Sequence, residues 1–488
     1  MPLPPNRLNP AADALAALWH AAALPADALS QVQLPGHQPV LPSSFDVATA
    51  AQASLGAAAA AAAALWQWRT GQQQAVQVDR THATLECTGY FALDGRVPVL
   101  WDKLSGLYPC GGAVGEGGWV RIHANFSHHR DGALRLLGLP PGEATEREAV
   151  AQALQAWSAL DFEQAAADAG LVVAAARSFA EWDAHPQALA MAGQPVVRIE
   201  PIATTGHGAV HPRHWPAITA AQRPLQGLRV LDLTRILAGP VAGRCLAAYG
   251  AEVLLVNGPH LPNIAAIADT SRGKRSTLID LRDAAGRAQL EALAGQAQVF
   301  LQGYRPGAIA GHGFSADALA QRHPGIVVAS LSAYGSTGPW AGRRGFDSLV
   351  QTATGFNLAE AEAAGARTPK ALPMQILDYA AGHLLSFGIQ AALWRQATQG
   401  GSWQVQVSLA GVGAWLRSLG RVADGQAAPR PDFAPYLEDS PCGFGPDGGP
   451  GNASLRAVRH AAHFSVTPAV WVQRSMPPGS HPPAWLPG

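Results

Sequence analysis

The stretch GLRVLDLTRILAGPVAGRCLAAYGAEVLLVN, residues 227–257, decides the fold of this chain. GLRVLDLT predicts a strand, the small-residue turn after it begins a helix, and AEVLLVN predicts a second strand. Almost continuous apolar runs of this kind are typical of parallel strands that are buried on both faces. The stretch therefore predicts a strand–helix–strand unit inside a parallel sheet.

Three later segments extend the predicted sheet. STLIDL, QVFLQGY and GIVVASLS, which begin at Ser276, Gln298 and Gly325, each predict a strand, and stretches with helical spacing separate them. Alternating strands and helices predict an α/β fold, here a doubly wound parallel (Rossmann-like) sheet domain. We expect a second, smaller α+β domain beside it.

One segment of the chain occurs twice. The first copy, LPSSFDVATAAQASLGAAAAAAAALWQWRTGQQQAVQVD, covers residues 41–79, and the second, LPMQILDYAAGHLLSFGIQAALWRQATQGGSWQVQVS, covers residues 372–408. Each copy predicts an aspartate, a long alanine-rich helix and a strand that contains VQV. A solenoid needs at least three repeats, so we interpret the pair as two partial copies of one helix–strand unit.

Changes in composition divide the chain into four predicted parts. Residues 1–202 contain the first repeat unit and the smaller domain, in which residues 117–125 predict a strand and residues 146–170 and 178–191 predict helices. Residues 203–226 are a predicted linker, because prolines interrupt the pattern there. Residues 227–423 form the Rossmann-like domain, and the Gly/Pro-rich residues 424–488 are a tail that we expect to wrap over the surface.

The charge and cysteine content exclude several classes of function. The 34 Lys and Arg residues balance the 34 Asp and Glu residues, so no net field attracts nucleic acid or an anionic membrane. The longest apolar run, residues 55–66, is too short to cross a bilayer and predicts a buried helix. Four scattered cysteines without a CxxC pair, and a start that does not resemble a signal peptide, predict a cytoplasmic protein.

Several loops carry candidate functional residues. The turn at residues 235–240 follows the first strand, where a parallel sheet binds ligands, although a purely structural turn is equally compatible with the pattern. The loop at residues 271–276 suits a phosphate ester or a solvated surface. Residues 303–307 suit an adenine clamp or a structural turn, and the glycine-rich residues 110–118 predict a mobile active-site loop or a hairpin.

Two other groups of side chains invite a chemical interpretation. Asp347 is either catalytic or the N-cap of the helix that follows it. The histidines His123, His128 and His129 have no Asp, Glu or Cys at a recognisable ligand spacing, so we expect no metal site.

In this order, the segments resemble the family III CoA-transferases, the CaiB/BaiF group. The resemblance is carried by six motifs in residues 227–410: GLRVLDLTRILAGPVAGRCLAAYGAEVLLV, SRGKRSTLIDLRDAAGR, GYRPGAIAGHGF, ASLSAYGSTGPW, GFDSLVQTATG and LDYAAGHLLSFGIQAALW. The stretch GGWVRIHANFSHHRDGALRLLG resembles the later region of the same family but comes earlier in this chain. The chain is therefore similar either to a family member whose segments are rearranged or to two truncated copies fused, in which case some parts would be relics. On the first interpretation we expect residues 1–202 to complete the active site.

The resemblance implies roles for particular residues. The nucleophilic aspartate of the family falls on Asp378, with Gly382 four residues later where small size admits the substrate. The implied coenzyme A contacts are Ile236, Leu237, Ala238, Lys274, Arg275, Tyr304 and Arg305. Because Asp378 lies at a predicted helix start, we expect its carboxylate to be ionised at neutral pH. The other repeated aspartate, Asp46, is predicted to be an N-cap.

The function implied by the resemblance is transfer of coenzyme A between an acyl-CoA and a small free carboxylic acid. Aspartyl anhydride and aspartyl-CoA thioester intermediates are implied, and the coenzyme A thioester is a substrate rather than a permanently bound cofactor. A homodimer is also implied. Two alternatives stay open: an acyl-CoA racemase or isomerase, which Phe346 disfavours because related racemases carry a histidine there, and a non-catalytic CoA-binding or structural relic.

Overall fold

The computed structural model describes residues 9–111, 117–203 and 215–487. The α-helices in these residues are α1 (Pro10–Ala21), α2 (Val47–Thr70), α3 (Arg80–Glu86), α4 (Ser127–Leu136), α5 (Arg147–Ala153), α6 (Ala159–Asp168), α7 (Phe179–Asp183), α8 (Pro186–Met191), α9 (Ala238–Ala248), α10 (Ile267–Thr270), α11 (Ala284–Ala294), α12 (Ala316–Arg322), α13 (Asp347–Ala353), α14 (Phe356–Ala363), α15 (Ile376–Gln399) and α16 (Leu409–Ser418).

The strands in the same residues are β1 (Val32–Gln33), β2 (Val76–Val78), β3 (Phe91–Leu93), β4 (Gly106–Pro109), β5 (Trp119–Ile122), β6 (Val173–Ala175), β7 (Val197–Ile202), β8 (Arg229–Leu233), β9 (Glu252–Asn257), β10 (Lys274–Leu278), β11 (Val299–Gln302), β12 (Val327–Ser332), β13 (Ser402–Ser408), β14 (Leu437–Pro441), β15 (Ser454–Val458) and β16 (Ala462–Phe464).

A seven-stranded sheet in the order β10-β9-β8-β11-β12-β13-β7 forms the centre of the molecule. Strands β8 to β13 are parallel to one another, and β7 pairs antiparallel with β13 at one edge. With the parallel strands numbered along the chain, the order is the doubly wound 3-2-1-4-5-6. The predicted α/β fold is confirmed, and β7 shows that residues before the linker complete its sheet.

Both faces of this sheet are covered by helices. Successive side chains of a strand point to opposite faces, so each strand contributes to the core on both sides. On one face, Val230, Val253 and Val405 belong to the core cluster that contains buried side chains of α9 and α15. On the other face, residues such as Leu231 and Leu254 join a second cluster with buried side chains of α11 and α12. This arrangement explains why the strands read as nearly continuous apolar runs.

The two repeated units pack against each other within one chain. Helices α2 and α15 each have 24 residues and lie in contact, and the Nε2 atom of Gln390 donates a hydrogen bond of 3.0 Å to the carbonyl oxygen of Ala58. The predicted helices and VQV strands are confirmed, but β2 and β13 lie in different sheets. By length and composition α2 could cross a membrane, so the prediction that this apolar segment is too short to cross a bilayer is wrong. However, 94% of its apolar window is buried inside the protein.

The smaller α+β domain has its own sheet, β4-β5-β6, and its own core cluster with helices α4, α5 and α6. The predicted strand at residues 117–125 is confirmed as β5. The helix predicted for residues 146–170 is interrupted between α5 and α6, where Ser158 caps α6, and the helix predicted for residues 178–191 is interrupted before Pro186.

The C-terminal tail does more than wrap over the surface. Strands β14 and β15 form a sheet with β3, and β16 pairs antiparallel with β2, so the tail completes two sheets that begin in the first hundred residues. The predicted linker includes residues 204–214 and the glycine-rich run includes residues 112–116, and both stretches lie outside the described residues. Strands β4 and β5, on either side of that run, pair antiparallel.

Candidate functional site

A cavity of about 320 Å³ lies at the carboxyl ends of the central parallel strands. Its walls come from the residues after β8, from residues 303–306 after β11, and from the end of β12. Strands β8 and β11 are neighbours at the point where the strand order reverses, and open α/β sheets bind ligands in the crevice at this point. Phe126, His128 and His129 of the smaller domain close one side.

The cavity has a strongly basic lining. Four arginines contribute to it, and none of the described lining residues is acidic; the arginines are Arg235, Arg305, Arg343 and Arg344. Burial, and after it the charge of Arg305, lowers the pKa of Arg344. Arg343 lies 3.7 Å from Glu163, which does not line the cavity. Clustered guanidinium groups favour an anionic ligand, and their planar forks suit phosphate and carboxylate groups.

Three of the predicted coenzyme A contacts, Ile236, Tyr304 and Arg305, lie in the cavity wall. Ile236 has a φ of 78°, in the left-handed region that a β-branched residue rarely adopts. Strained backbone of this type persists where the surrounding structure enforces it, frequently at ligand sites. Leu237 and Ala238 follow directly, as the N-cap and first residue of α9.

The other two predicted contacts, Lys274 and Arg275, do not reach the cavity. Lys274 is fully buried, and its Nζ atom lies 2.8 Å from Oδ2 of Asp232 and 2.8 Å from the carbonyl oxygen of Pro240. The lysine therefore links β8 to the first turn of α9 instead of facing solvent. Arg275 lies at the amino-terminal side of the sheet, where it bonds the carbonyl oxygen of Ala484 and lies 3.7 Å from Glu252.

Asp378 and Asp347 form a buried pair of carboxyl groups. The backbone amide of Asp378 donates a hydrogen bond of 2.8 Å to Oδ2 of Asp347, and the Nε2 atom of Gln351 donates one of 2.5 Å to Oδ1. Asp347 is the first residue of α13, whose N-cap is Phe346, and Asp378 lies in the first turn of α15. Asp347 is thus not the N-cap of its own helix but accepts from the first turn of α15.

The electrostatics of this pair contradict the expected ionisation of Asp378. Burial, followed by the charge of Asp347, raises the pKa of Asp378 well above its usual value. Burial also raises the pKa of Asp347 to about 7, although the Asp378 amide, Gln351 and the charge of Arg121 each lower it. Two close carboxyl groups away from water do not both ionise, and here this effect outweighs the favourable helix start.

The first repeated aspartate has a structural environment. The carboxylate of Asp46 caps α2 by accepting from the Thr49 amide at 2.9 Å, and it lies 2.5 Å from the guanidinium of Arg80. The geometry therefore agrees with the predicted N-cap. Gly382, by contrast, faces protein: a Cβ atom there would lie 2.6 Å from the carbonyl oxygen of Ala238 and 2.7 Å from Val241. The absence of a side chain at Gly382 allows α9 to pack closely against α15 and does not make room for a substrate.

The smaller domain brings residues to this site whose roles the sequence did not reveal. The ring of His123 stacks on Phe346 with a centroid distance of 4.0 Å, and Phe346 in turn lines the cavity. Arg121, two residues earlier in β5, acts electrostatically on Asp347. In the sequence, the local indication that the cavity has a basic lining is the adjacent pair Arg343 and Arg344, directly before the GFD motif.

The three histidines considered as metal ligands lie near one another in the structure. The rings of His128 and His129 are 4.1 Å apart, and burial lowers the pKa of His123 and of His129 to about 3. Among residues 9–111, 117–203 and 215–487, no group of three or more His, Cys, Asp or Glu side chains is arranged to hold a metal ion.

Comparison with known proteins finds similarity in one segment of the chain. The family model "CoA-transferase family III" matches residues 225–430. A probable fatty acyl-CoA transferase of Mycobacterium tuberculosis is 34% identical over 229 residues, which are 43% of this chain and 58% of that protein. The succinate–glutarate CoA-transferase of Agrobacterium fabrum is 31% identical over 38% of this chain and 51% of its own length.

One solved structure is also similar to part of the chain. The crystal structure of a CaiB/BaiF family protein from Brucella suis is 24% identical, with a TM-score of 0.35 over 46% of this chain and 64% of that one. The chain thus spans 58% and 51% of the two relatives above. Residues 225–430 of this chain are similar to CoA-transferase family III.

Proposed function

We propose that this protein transfers coenzyme A between an acyl-CoA and a free carboxylic acid, with Asp378 as the covalent nucleophile. The observation that carries the proposal is the buried pair Asp378–Asp347 behind Phe346, which lines an arginine-rich cavity at the switch point of the sheet. The family of residues 225–430 supports the same reaction class. Ile236, Tyr304 and Arg305 are the proposed coenzyme A contacts, with Leu237 and Ala238 beside them.

The proposed chemistry needs one carboxylate. An oxygen of Asp378 attacks the thioester carbonyl of the acyl-CoA, the C–S bond breaks, and a mixed anhydride forms with release of CoA thiolate. The thiolate attacks the Asp378 carbonyl of the anhydride, which frees the donor acid and leaves an aspartyl-CoA thioester. The acceptor acid attacks this thioester, the C–S bond breaks, and a new anhydride forms with release of CoA thiolate. The thiolate then attacks the acyl carbonyl of the new anhydride, which forms the product acyl-CoA and frees the Asp378 carboxylate.

The raised pKa of Asp378 adds a requirement to this scheme. Because burial and the charge of Asp347 raise the pKa of Asp378 well above its usual value, the protonated form of its carboxyl group is favoured, and this proton must leave before the first attack. We therefore expect the transfer rate to rise with pH. Replacement of Asp347 by asparagine removes the neighbouring charge, so that the rise moves to lower pH.

Trapping of the covalent intermediate tests the proposal. The protein is incubated with acyl-CoA and hydroxylamine, and peptide mass spectrometry locates the modified residue. We expect modification at Asp378, loss of transfer in Asp378→Asn with an unchanged circular dichroism spectrum, and normal transfer in the matched control Asp46→Asn. Modification at Asp46 or Asp347 would refute the assignment.

One observation supports a second candidate function, proton exchange at the α-carbon of an acyl-CoA. Phe346 occupies the position of the histidine in related racemases, but the structure places the ring of His123 against it. Burial lowers the pKa of His123 to about 3, which makes the imidazole a weak base. Incubation of a 2-methylacyl-CoA in deuterium oxide decides between the two: an unlabelled substrate supports transfer alone, and rapid labelling supports the racemase.

We also propose that the protein is a cytoplasmic homodimer with no membrane or nucleic acid partner. Cys87, Cys110, Cys245 and Cys442 are buried free thiols, which suits a reducing compartment. The dimer rests on the family resemblance, and sedimentation at micromolar concentration tests it. A monomer under those conditions would contradict the homodimer.

A further inference from the structure

Arg121 lies on the face of the smaller domain that meets the two carboxyl groups. Side chains alternate along β5, and Val120 and Ile122 point into the core of the smaller domain. Arg121 and His123 are therefore on the opposite face, where β5 packs against α13. His123 contacts Phe346 there, and Arg121 is close enough to Asp347 for each to influence the pKa of the other.

The guanidinium of Arg121 is buried without a counter-ion among residues 9–111, 117–203 and 215–487. Its residue is 9% exposed, its Nε atom has no hydrogen-bond partner, and no carboxylate of the described residues lies within ion-pair distance. Its one ring contact is Trp101, whose centroid lies 5.5 Å from Cζ. Other buried arginines are paired: Arg80 with Asp46 at 2.5 Å, and Arg177 with Glu163 at 2.5 Å.

An unpaired buried cation is costly, so it calls for an anion that binds there. The bidentate fork of arginine matches a carboxylate. Arg121 acts on Asp347, which accepts a hydrogen bond from the backbone of Asp378, so an anion on Arg121 would lie on the side of the carboxyl pair that faces the smaller domain. We propose that Arg121 binds the carboxylate of the free acid that exchanges for coenzyme A, an inference that rests on the transfer reaction proposed above.

In that role Arg121 positions the acceptor for the second half of the reaction. One oxygen of the acid attacks the carbonyl carbon of the Asp378–CoA thioester, the C–S bond breaks, and its electron pair leaves with the CoA thiolate. The N–H groups of Arg121 donate to the carboxylate of the same acid before the attack. Acyl-CoA binding in the first half-reaction does not require this contact.

Kinetics of Arg121→Met test the inference. With succinyl-CoA or acetyl-CoA as donor and butyrate or succinate as acceptor, we expect the KM of the acid to rise roughly ten- to hundred-fold, as for loss of a charge-assisted hydrogen bond. The KM of the acyl-CoA should stay within about twofold, because the cavity arginines are unchanged. Arg121→Lys, which keeps the charge, should recover part of the loss.

The matched control is Arg147→Met. Arg147 belongs to the same domain, but it bonds the carbonyl oxygens of Ser105 and Leu107 at 3.1 Å each and stacks on Tyr108 at 4.2 Å. We expect this variant to lose thermal stability without a change in the KM of the acid. Arg121→Met should be at least as stable as the wild type without ligand, since it removes an unpaired buried charge.

A binding measurement gives a second readout that is independent of turnover. At constant ionic strength, sodium succinate or sodium butyrate should raise the thermal midpoint of the wild type and leave that of Arg121→Met unchanged. Equal stabilisation of both proteins, or of neither, would overturn the inference, as would an unchanged acid KM in an enzyme that transfers coenzyme A. Absence of transfer in the wild type would instead overturn the proposed function.

Discussion

The stability of the Asp347→Asn variant, relative to that of the wild type, should increase as the pH rises. In the folded chain burial raises the pKa of Asp347 from 3.8 to about 7. The unfolded carboxyl group releases its proton above pH 3.8, whereas the folded group retains it to about pH 7. The stability of the wild type therefore falls across this window, and a shift of about three pKa units corresponds to roughly 4 kcal/mol.

The measurement is urea unfolding of both proteins, followed by tryptophan fluorescence near pH 4 and near pH 7.5. We expect the free energy of unfolding of Asp347→Asn, relative to the wild type, to increase by roughly 4 kcal/mol between these conditions. The asparagine oxygen can still accept from the Asp378 amide. Its NH2 group cannot accept from Gln351, and the loss of that hydrogen bond is the same at both pH values. The substitution also removes the charge of Asp347, which raises the pKa of Asp378. The lower pKa of Asp378 in the variant likewise increases its relative stability as the pH rises.

The control for this experiment is Asp46→Asn, because Asp46 is ion-paired with Arg80 at 2.5 Å and gains nothing from neutralisation. This variant should be less stable than the wild type at neutral pH, the opposite sign. A difference between Asp347→Asn and the wild type that stays constant with pH would mean that Asp347 is ionised throughout, and the reasoning about the buried pair would be refuted.

Three further substitutions test the packing around the site. Asp46→Asn should lower the free energy of unfolding by roughly 3 kcal/mol, because it leaves a buried arginine without its counter-ion, and should leave transfer unchanged. Gly382→Ala should cost roughly 1–3 kcal/mol in thermal unfolding, since its Cβ would lie 2.6 Å from a backbone oxygen, whereas Gly342→Ala, with open space around it, should be neutral. Lys274→Met should lower the free energy of unfolding in urea by roughly 3–5 kcal/mol, because it leaves the buried carboxylate of Asp232 without its counter-ion. The Lys274→Met, Asp232→Asn double variant should recover part of this loss. Equal losses for the single and double variants would contradict the buried pair.

The central sheet was predictable from the sequence because its determinants are local. Apolar runs such as residues 251–257 and the small-residue turn at residues 235–240 fix strands, helix start and ligand edge within a few residues. The placement of Ile236, Tyr304 and Arg305 in one cavity follows from the parallel order, since the carboxyl ends of neighbouring strands meet.

The remaining features depend on contacts between distant residues. The burial of Lys274 is set by Asp232 on another strand, and a basic loop before a strand gives no sign of that partner. The pKa of Asp378 depends on Asp347 at the start of a different helix. Arg121 and His123 reach the site only because the smaller domain packs on α13, which no local pattern encodes.

The pairing of β16 with β2 and of β15 with β3 has a consequence for how the chain folds. Each pair joins strands from opposite ends of the sequence, so the entropy of closing very long loops must be offset before either sheet forms. During synthesis β2 and β3 leave the ribosome before the tail does. The edges that later pair with β16 and β15 therefore stay unpaired until the tail is released. A nascent chain halted before residue 437 would expose these edges to other chains, the condition that favours aggregation over folding.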